Sequence, residues 1–181
     1  MKSLRPAVFL DRDGTINVEK GYLCRKEDFM YLEGAVEGLR KLQNMGYMLV
    51  VVTNQSGIAR GYYSENDLQE LTDWMVSDLK DKGISIAGVY YCPHHPHAKI
   101  GKYRKVCDCR KPKTGLFYRA AEELHIDFGK SIAVGDKWRD LEICNEREVK
   151  GILLSACDEV TEDVIVCRNW MEIIFCIDNI L

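Results

Sequence analysis

A set of short, continuously apolar runs constrains this chain more than any other feature. They are Ala7-Val8-Phe9-Leu10, Leu49-Val50-Val51-Val52, Gly88-Val89-Tyr90-Tyr91, Ser131-Ile132-Ala133-Val134 and Gly151-Ile152-Leu153-Leu154, with Val164-Ile165-Val166 as a candidate edge strand. Runs that do not alternate with polar residues fit strands buried on both faces of a parallel sheet. Helix-period stretches lie between them. Val36, Leu39, Leu42 and Met45 form one stripe, which Gly46 stops; Leu68, Leu71, Met75, Val76 and Leu79 form another, ending at Lys82-Gly83. A third helix spans about Thr114 to Leu124, Leu141 and Cys144 mark a shorter fourth, and Trp170, Ile174, Ile177 and Leu181 a terminal fifth. The alternation predicts an α/β fold, a three-layer Rossmann-like parallel sheet with helices on both faces. Ligands of such sheets bind beyond the carboxyl ends of the strands.

Length and charge narrow the classes. The chain has 181 residues, which suits a single domain, and it shows no internal repeat or linker. A formal charge of −3 argues against broad electrostatic capture of nucleic acid. No apolar run approaches the ~20 residues of a bilayer span, and the first residues lack a secretory pattern. A cytoplasmic monomer is expected. Eight cysteines in a reducing compartment do not imply disulfides. Cys24, Cys144, Cys157, Cys167 and Cys176 read as small buried hydrophobes.

The chemistry-bearing residues fall at the strand ends. Asp11-Arg12-Asp13-Gly14-Thr15 follows the first run, and Gly135-Asp136-Lys137-Trp138-Arg139-Asp140 follows the fourth. Carboxylates converging there need a cation, and magnesium suits a site with few carboxylates and several waters. Thr53-Asn54-Gln55-Ser56-Gly57 follows the second run and offers a hydroxyl, amides and N–H groups to phosphate oxygens. Arg110-Lys111-Pro112 adds cations just before a helix. Acids, a hydroxyl and a lysine together describe a phosphoryl-transfer site.

A separate cluster lies at residues 92–109. Cys92-Pro93-His94 and Cys107-Asp108-Cys109 supply three thiolates and an imidazole, a closed set suited to structural zinc. His95 and His97 compete for the imidazole role, and His94 is preferred because it mirrors the C-x-C half. Lys99, Lys102, Arg104 and Lys105 surround the loop and are read as a solvated face.

In their order and spacing, Asp11-x-Asp13-Gly14-Thr15, Thr53, Lys111 and Gly135-Asp136-(x)3-Asp140 resemble the four motifs of the haloacid dehalogenase superfamily of phosphatases. The resemblance implies Asp11 as nucleophile, through an aspartyl-phosphate, and Asp13 as the group that protonates the leaving alkoxide and then takes a proton from water. It implies Thr53 and Lys111 on the phosphoryl oxygens, and magnesium held by Asp11, Asp136 and the Asp13 carbonyl. Asp140 is left open between a metal-proximal role and a helix cap.

The loop at Cys92, His94, Cys107 and Cys109 narrows the resemblance to a zinc-loop branch with a minimal cap. That branch comprises the D-glycero-D-manno-heptose 1,7-bisphosphate 7-phosphatases and the histidinol-phosphate phosphatases. Phe9–Asn17, Val52–Gly61 and Cys107–Pro112 look like the heptose group, which implies removal of the 7-phosphate from a sugar bisphosphate. On that likeness Glu19, Lys20, Gly21, Tyr22, Thr53, Asn54, Gln55, Ser56, Arg110, Lys111 and Lys137 are expected to touch substrate. Histidinol phosphate is the alternative substrate. The Thr-Asn-Gln string also occurs in 3′-phosphatases that act on polynucleotide ends. From another class, a zinc loop among lysines could bind nucleic acid, yet Tyr103 alone is available for stacking. Residues from Cys157 onward carry no motif.

Overall fold

The computed structural model describes residues 3–156 and 164–180. Among these residues six strands form one sheet: β1 (Ala7–Leu10), β2 (Met48–Asn54), β3 (Ile86–Cys92), β4 (Ile132–Gly135), β5 (Lys150–Leu154) and β6 (Val164–Cys167). All pairings are parallel, in the order β3-β2-β1-β4-β5-β6. Every apolar run named above lies in a strand except for Ser131, which precedes β4, and Val164–Cys167 is at an edge as expected.

Side chains of successive strand residues point to opposite faces and build two cores. Val8, Leu10, Leu49, Val51, Ile132 and Val134 pack under α1 (Ala35–Asn44), α3 (Glu65–Asp81) and α6 (Trp170–Ile180). Ala7, Phe9, Val50, Val52, Ala133 and Leu153 pack under α4 (Gly115–Leu124) and α5 (Glu142–Glu146). This is the three-layer α/β arrangement.

Two helix readings need correction. The buried face of α6 is Trp170, Ile173 and Ile177, whereas Ile174 is half-exposed; Leu181 and Cys157 lie outside the described residues. Met45 is exposed, because α1 ends at Asn44 and the chain turns at Gly46 with φ +93°. A five-residue helix, α2 (Ser56–Arg60), had no apolar period by which to be seen.

The strand order reverses direction at β1, where the chain leaves toward β2 on one side and β4 lies on the other. That is the point where an open α/β sheet parts to admit a ligand. Register fixes which side chains meet there. Leu10 pairs with Val51 and with Val134, so the residues just beyond are Asp11, Thr53 and Asp136. On the far side of β2, Asn54 pairs with Cys92, which brings the start of the cysteine loop to the same rim.

Candidate active site and metal centres

Asp11, Asp136 and Asp140 each present a carboxylate oxygen, and these atoms lie within 4.8 Å of one another. Lys111 joins them from the other side of the cleft. Its Nζ is 2.8 Å from Asp11 Oδ1, 2.8 Å from Asp140 Oδ1 and 2.6 Å from the Val52 carbonyl it donates to. Two of these are hydrogen bonds, to Asp11 and Val52, and the contact with Asp140 is an ion pair. Lys111 is only 2% exposed. Burial alone would lower its pKa, but Asp11 and Asp140 outweigh it and hold the ammonium above its ordinary value.

The carboxylates respond the other way. Burial pushes Asp11 above the usual carboxylate range despite the pull of Lys111. Asp136 is likewise raised by burial, against the opposing pull of Lys137. Asp136 Oδ2 sits 2.9 Å from Lys137 Nζ, while Oδ1 is buried with no hydrogen-bond partner among the described residues. A buried carboxylate oxygen without a partner is costly. A divalent cation between Asp11 and Asp136 would satisfy it, so the donor set fits a hard metal ion. Two glycines make the room. A Cβ on Gly14, where φ is +85°, would fall 2.5 Å from Asp136 Oδ2, and one on Gly135 would fall 2.3 Å from Asp140 Cβ.

Asp140 does more than either role foreseen for it. Its Oδ2 accepts from the Lys137 N–H at 3.0 Å, closing the turn Trp138–Asp140, while Oδ1 anchors Lys111. Asp13 is partly buried and faces donors: Arg12 Nη2 at 2.8 Å, Gln55 Nε2 at 3.0 Å and Asn17 Nδ2 at 3.0 Å. Thr53 Oγ1 accepts from Gln55 Nε2 at 3.0 Å, so Gln55 ties the Thr53 hydroxyl to Asp13.

A cleft of about 400 Å³ opens beside these groups. Asp13, Glu19, Gly21, Tyr22, Asn54, Gln55, Ser56 and Arg110 line it, together with Arg60 and Arg139, which the sequence did not single out. Lys20 is exposed and does not line the cleft, and Lys137 is turned to Asp136. Arg12 was also missed. It is 2% exposed and reaches the Leu23 carbonyl at 3.2 Å and Gln55 Oε1 at 3.4 Å, besides Asp13. Its position between two motif acids was the available signal.

Cys92, His94, Cys107 and Cys109 converge from the end of β3 and the loop before α4, with their ligand atoms within 4.8 Å of one another. The Sγ atoms of Cys107 and Cys109 are 3.2 Å apart, those of Cys92 and Cys107 3.6 Å, and His94 Nδ1 is 3.2 Å from Cys109 Sγ. Tetrahedral Zn–S bonds of ~2.3 Å place sulfurs about 3.8 Å apart, so this cluster could hold such an ion after a small expansion. His94 is the imidazole of the set. His95 instead faces Arg60 and accepts the His97 N–H on Nδ1. Lys99, Lys102, Arg104 and Lys105 are exposed, as a solvated face requires.

A parallel sheet with acids and a buried lysine at its switch point defines a phosphatase of the haloacid dehalogenase type, a phosphoric monoester hydrolase. Comparison with known proteins agrees. The family model described as polynucleotide kinase 3 phosphatase matches residues 7–146. D-glycero-beta-D-manno-heptose-1,7-bisphosphate 7-phosphatase of Escherichia coli (strain K12) is 50% identical over 167 residues, covering 92% of this chain and 87% of its own length. The protein of that name from Haemophilus ducreyi is 53% identical over 138 residues, covering 76% of this chain and 75% of its own. The crystal structure of D,D-heptose 1.7-bisphosphate phosphatase from B. bronchiseptica, complexed with magnesium and phosphate, superposes with a TM-score of 0.80. It is 26% identical and covers 95% of this chain and 97% of its own. The chain therefore belongs to the polynucleotide kinase 3 phosphatase family and, within it, to the family of these heptose-bisphosphate phosphatases.

Proposed function

We propose that this chain removes the 7-phosphate of D-glycero-D-manno-heptose 1,7-bisphosphate, the β anomer being the form named for its relatives. The observation that carries the chemistry is the Asp11–Lys111–Asp140 cluster, with the orphaned Asp136 oxygen beside it. Asp11 attacks phosphorus; as the new Asp–O–P bond forms, the bond to the sugar oxygen breaks. Asp13 gives that oxygen a proton. Water then attacks the aspartyl-phosphate, losing a proton to Asp13, which returns the enzyme to its starting state. Thr53 and Lys111 hold the phosphoryl oxygens throughout. Magnesium, held by Asp11, Asp136 and the Asp13 carbonyl, would offset the negative charge of the transferring group. Its presence in the B. bronchiseptica structure supports that choice.

Zinc on Cys92, His94, Cys107 and Cys109 would be structural, since four protein ligands leave no open position. Its consequence is positional: Arg110 and Lys111 follow Cys109 directly. Glu19, Gly21, Tyr22, Asn54, Gln55, Ser56 and Arg110 form the sugar and second-phosphate side of the cleft, supported by their place along its wall. Three cysteine ligands kept as thiolates fit a cytoplasmic protein. A monomer of a single domain completes the reading.

Phosphate release from both anomers of the heptose bisphosphate, and from histidinol phosphate, tests it. The heptose bisphosphate should have the highest kcat/KM, and Asp11→Asn should abolish release. Higher kcat/KM on histidinol phosphate would overturn the substrate assignment.

A further inference from the structure

The last helix ends in no motif, yet its first residue reaches the catalytic loop. Trp170 is 1% exposed and heads the largest fully buried side chains of the protein. Its indole Nε1–H donates to the Thr15 carbonyl at 2.7 Å, a contact across 155 residues of chain. Thr15 belongs to a compact knot. The N–H groups of Thr15, Ile16 and Asn17 all donate to the Arg12 carbonyl, at 3.3, 2.8 and 3.1 Å, and Gly14 N–H donates to Asn17 O at 2.7 Å. The same Asn17 holds Asp13 Oδ1 through Nδ2. Trp170 thus grips a loop whose internal bonds end on the Asp13 carboxylate.

Helix α1 is shaped to admit the ring. A Cβ on Gly38 would lie 2.3 Å from Trp170 Cε3, and one on Gly34 3.0 Å from Trp170 Cβ. An indole N–H is the only donor on that side chain, and here it is spent on a backbone carbonyl that no strand or helix would otherwise pair. Any buried indole N–H calls for an acceptor; what distinguishes this one is that its acceptor belongs to the loop that carries Asp13.

We infer that Trp170 is a positioning residue for proton transfer: by tethering Thr15, it fixes Asp13 against the leaving oxygen of the substrate. The inference rests on the proton-donor role proposed for Asp13. It makes a distinction that a purely structural tryptophan would not. An alkoxide leaving group needs protonation, whereas p-nitrophenolate does not, so misplacing Asp13 should slow only the former in the first chemical step.

The test is single-turnover release of the leaving group from heptose 1,7-bisphosphate and from p-nitrophenyl phosphate, with Tm measured alongside. Two variants are compared with wild type. Trp170→Phe keeps an aromatic ring and loses the N–H. Gly38→Ala keeps the tryptophan but forces its ring to shift, and its gain in helix propensity offsets part of the overpacking cost. Each should slow heptose release roughly tenfold, part of the ~100-fold or more that general acid catalysis supplies, and leave p-nitrophenol release within about twofold. Equal slowing of both substrates, or no change in either, would overturn the inference. Should Trp170→Phe fail to fold, Gly38→Ala decides alone. Asp13→Asn tests the proton-donor role itself: it should show the same selectivity more strongly. If it slows both substrates alike, the proton-donor role of Asp13 falls, and the inference with it.

Discussion

Asn54 and Lys111 bond reciprocally: the Lys111 N–H donates to Asn54 Oδ1 at 3.0 Å, and Asn54 Nδ2 donates to the Lys111 carbonyl at 3.0 Å. Asn54 ends β2, and Lys111 follows the cysteine loop, so one amide fixes the backbone from which the buried ammonium extends. Asn54 was expected to touch substrate; the structure gives it this second task. Asn54→Ala removes both bonds and loosens Lys111 against Asp11. A displacement of ~1 Å in such a clamp can cost ~100-fold in rate. The expected result is a fall in kcat of roughly tenfold or more, measured by steady-state phosphate release; an unchanged kcat would show that Lys111 is held by its ion pairs alone.

The Lys111 ammonium also makes the site a stability element. Lys111→Met would leave Asp11 and Asp140 buried without their cation, and breaking a buried pair this way typically costs about 3–5 kcal/mol. Urea denaturation should show that loss. Adding Asp140→Asn to the same protein should recover part of it, since one of the stranded charges is then gone.

The metal pocket depends on a missing side chain. Gly14→Ala forces a left-handed φ of +85° onto alanine and drives its Cβ to 2.5 Å from Asp136 Oδ2. Magnesium affinity should fall, raising the magnesium concentration needed for half-maximal activity. Calorimetric titration of magnesium reads the loss directly, and wild-type affinity would mean that Asp136 is not at the ion.

Zinc should act at a distance from the chemistry. Cys109→Ser, or removal of the ion by a chelator, should lower kcat by freeing Arg110 and Lys111, and should lower Tm as well. Full turnover by protein shown by elemental analysis to be free of zinc would contradict this.

An acid-side dependence follows from Glu65, at the start of α3. The Tyr103 hydroxyl, from the cysteine loop, donates to Glu65 Oε1, and the Tyr91 hydroxyl donates to Oε2 at 2.7 Å. These two donors, Tyr103 first, hold its carboxyl below the ordinary 4.5. A carboxylate depressed in the native state binds fewer protons folded than unfolded as pH drops below 4.5, so its contribution, present above that pH, is lost as pH falls toward its folded value. Glu65→Gln should therefore flatten the decline of Tm below pH 4.5. A variant that follows the wild-type curve in parallel would exclude Glu65 as its source.

Much of this was readable in the residues because strand ends in a parallel sheet are fixed by the apolar runs before them. Asp11, Thr53 and Asp136 each follow such a run, and register does the rest. The Cys92–Cys109 cluster was readable from residue type and local spacing, which also favoured His94 over His95 and His97. What stayed hidden is what side chains do to one another across the chain. No spacing rule indicates that Asn54 clamps Lys111, that Arg12 is buried against Asp13 and Gln55, or that Trp170 reaches Thr15. Helix α2 was missed because five residues carry too little period, and in α6 the apolar residues Ile173 and Ile174 are adjacent, so pattern alone did not say which faces inward.

The central claim is that phosphate passes through a bond to Asp11. Rapid acid quench of the magnesium-loaded enzyme during turnover, followed by peptide mass spectrometry, tests it most directly. A phosphoryl group on the peptide containing Asp11, absent from Asp11→Asn, is the predicted result. A phosphoryl group on a different residue, or turnover by Asp11→Asn equal to wild type, would contradict it.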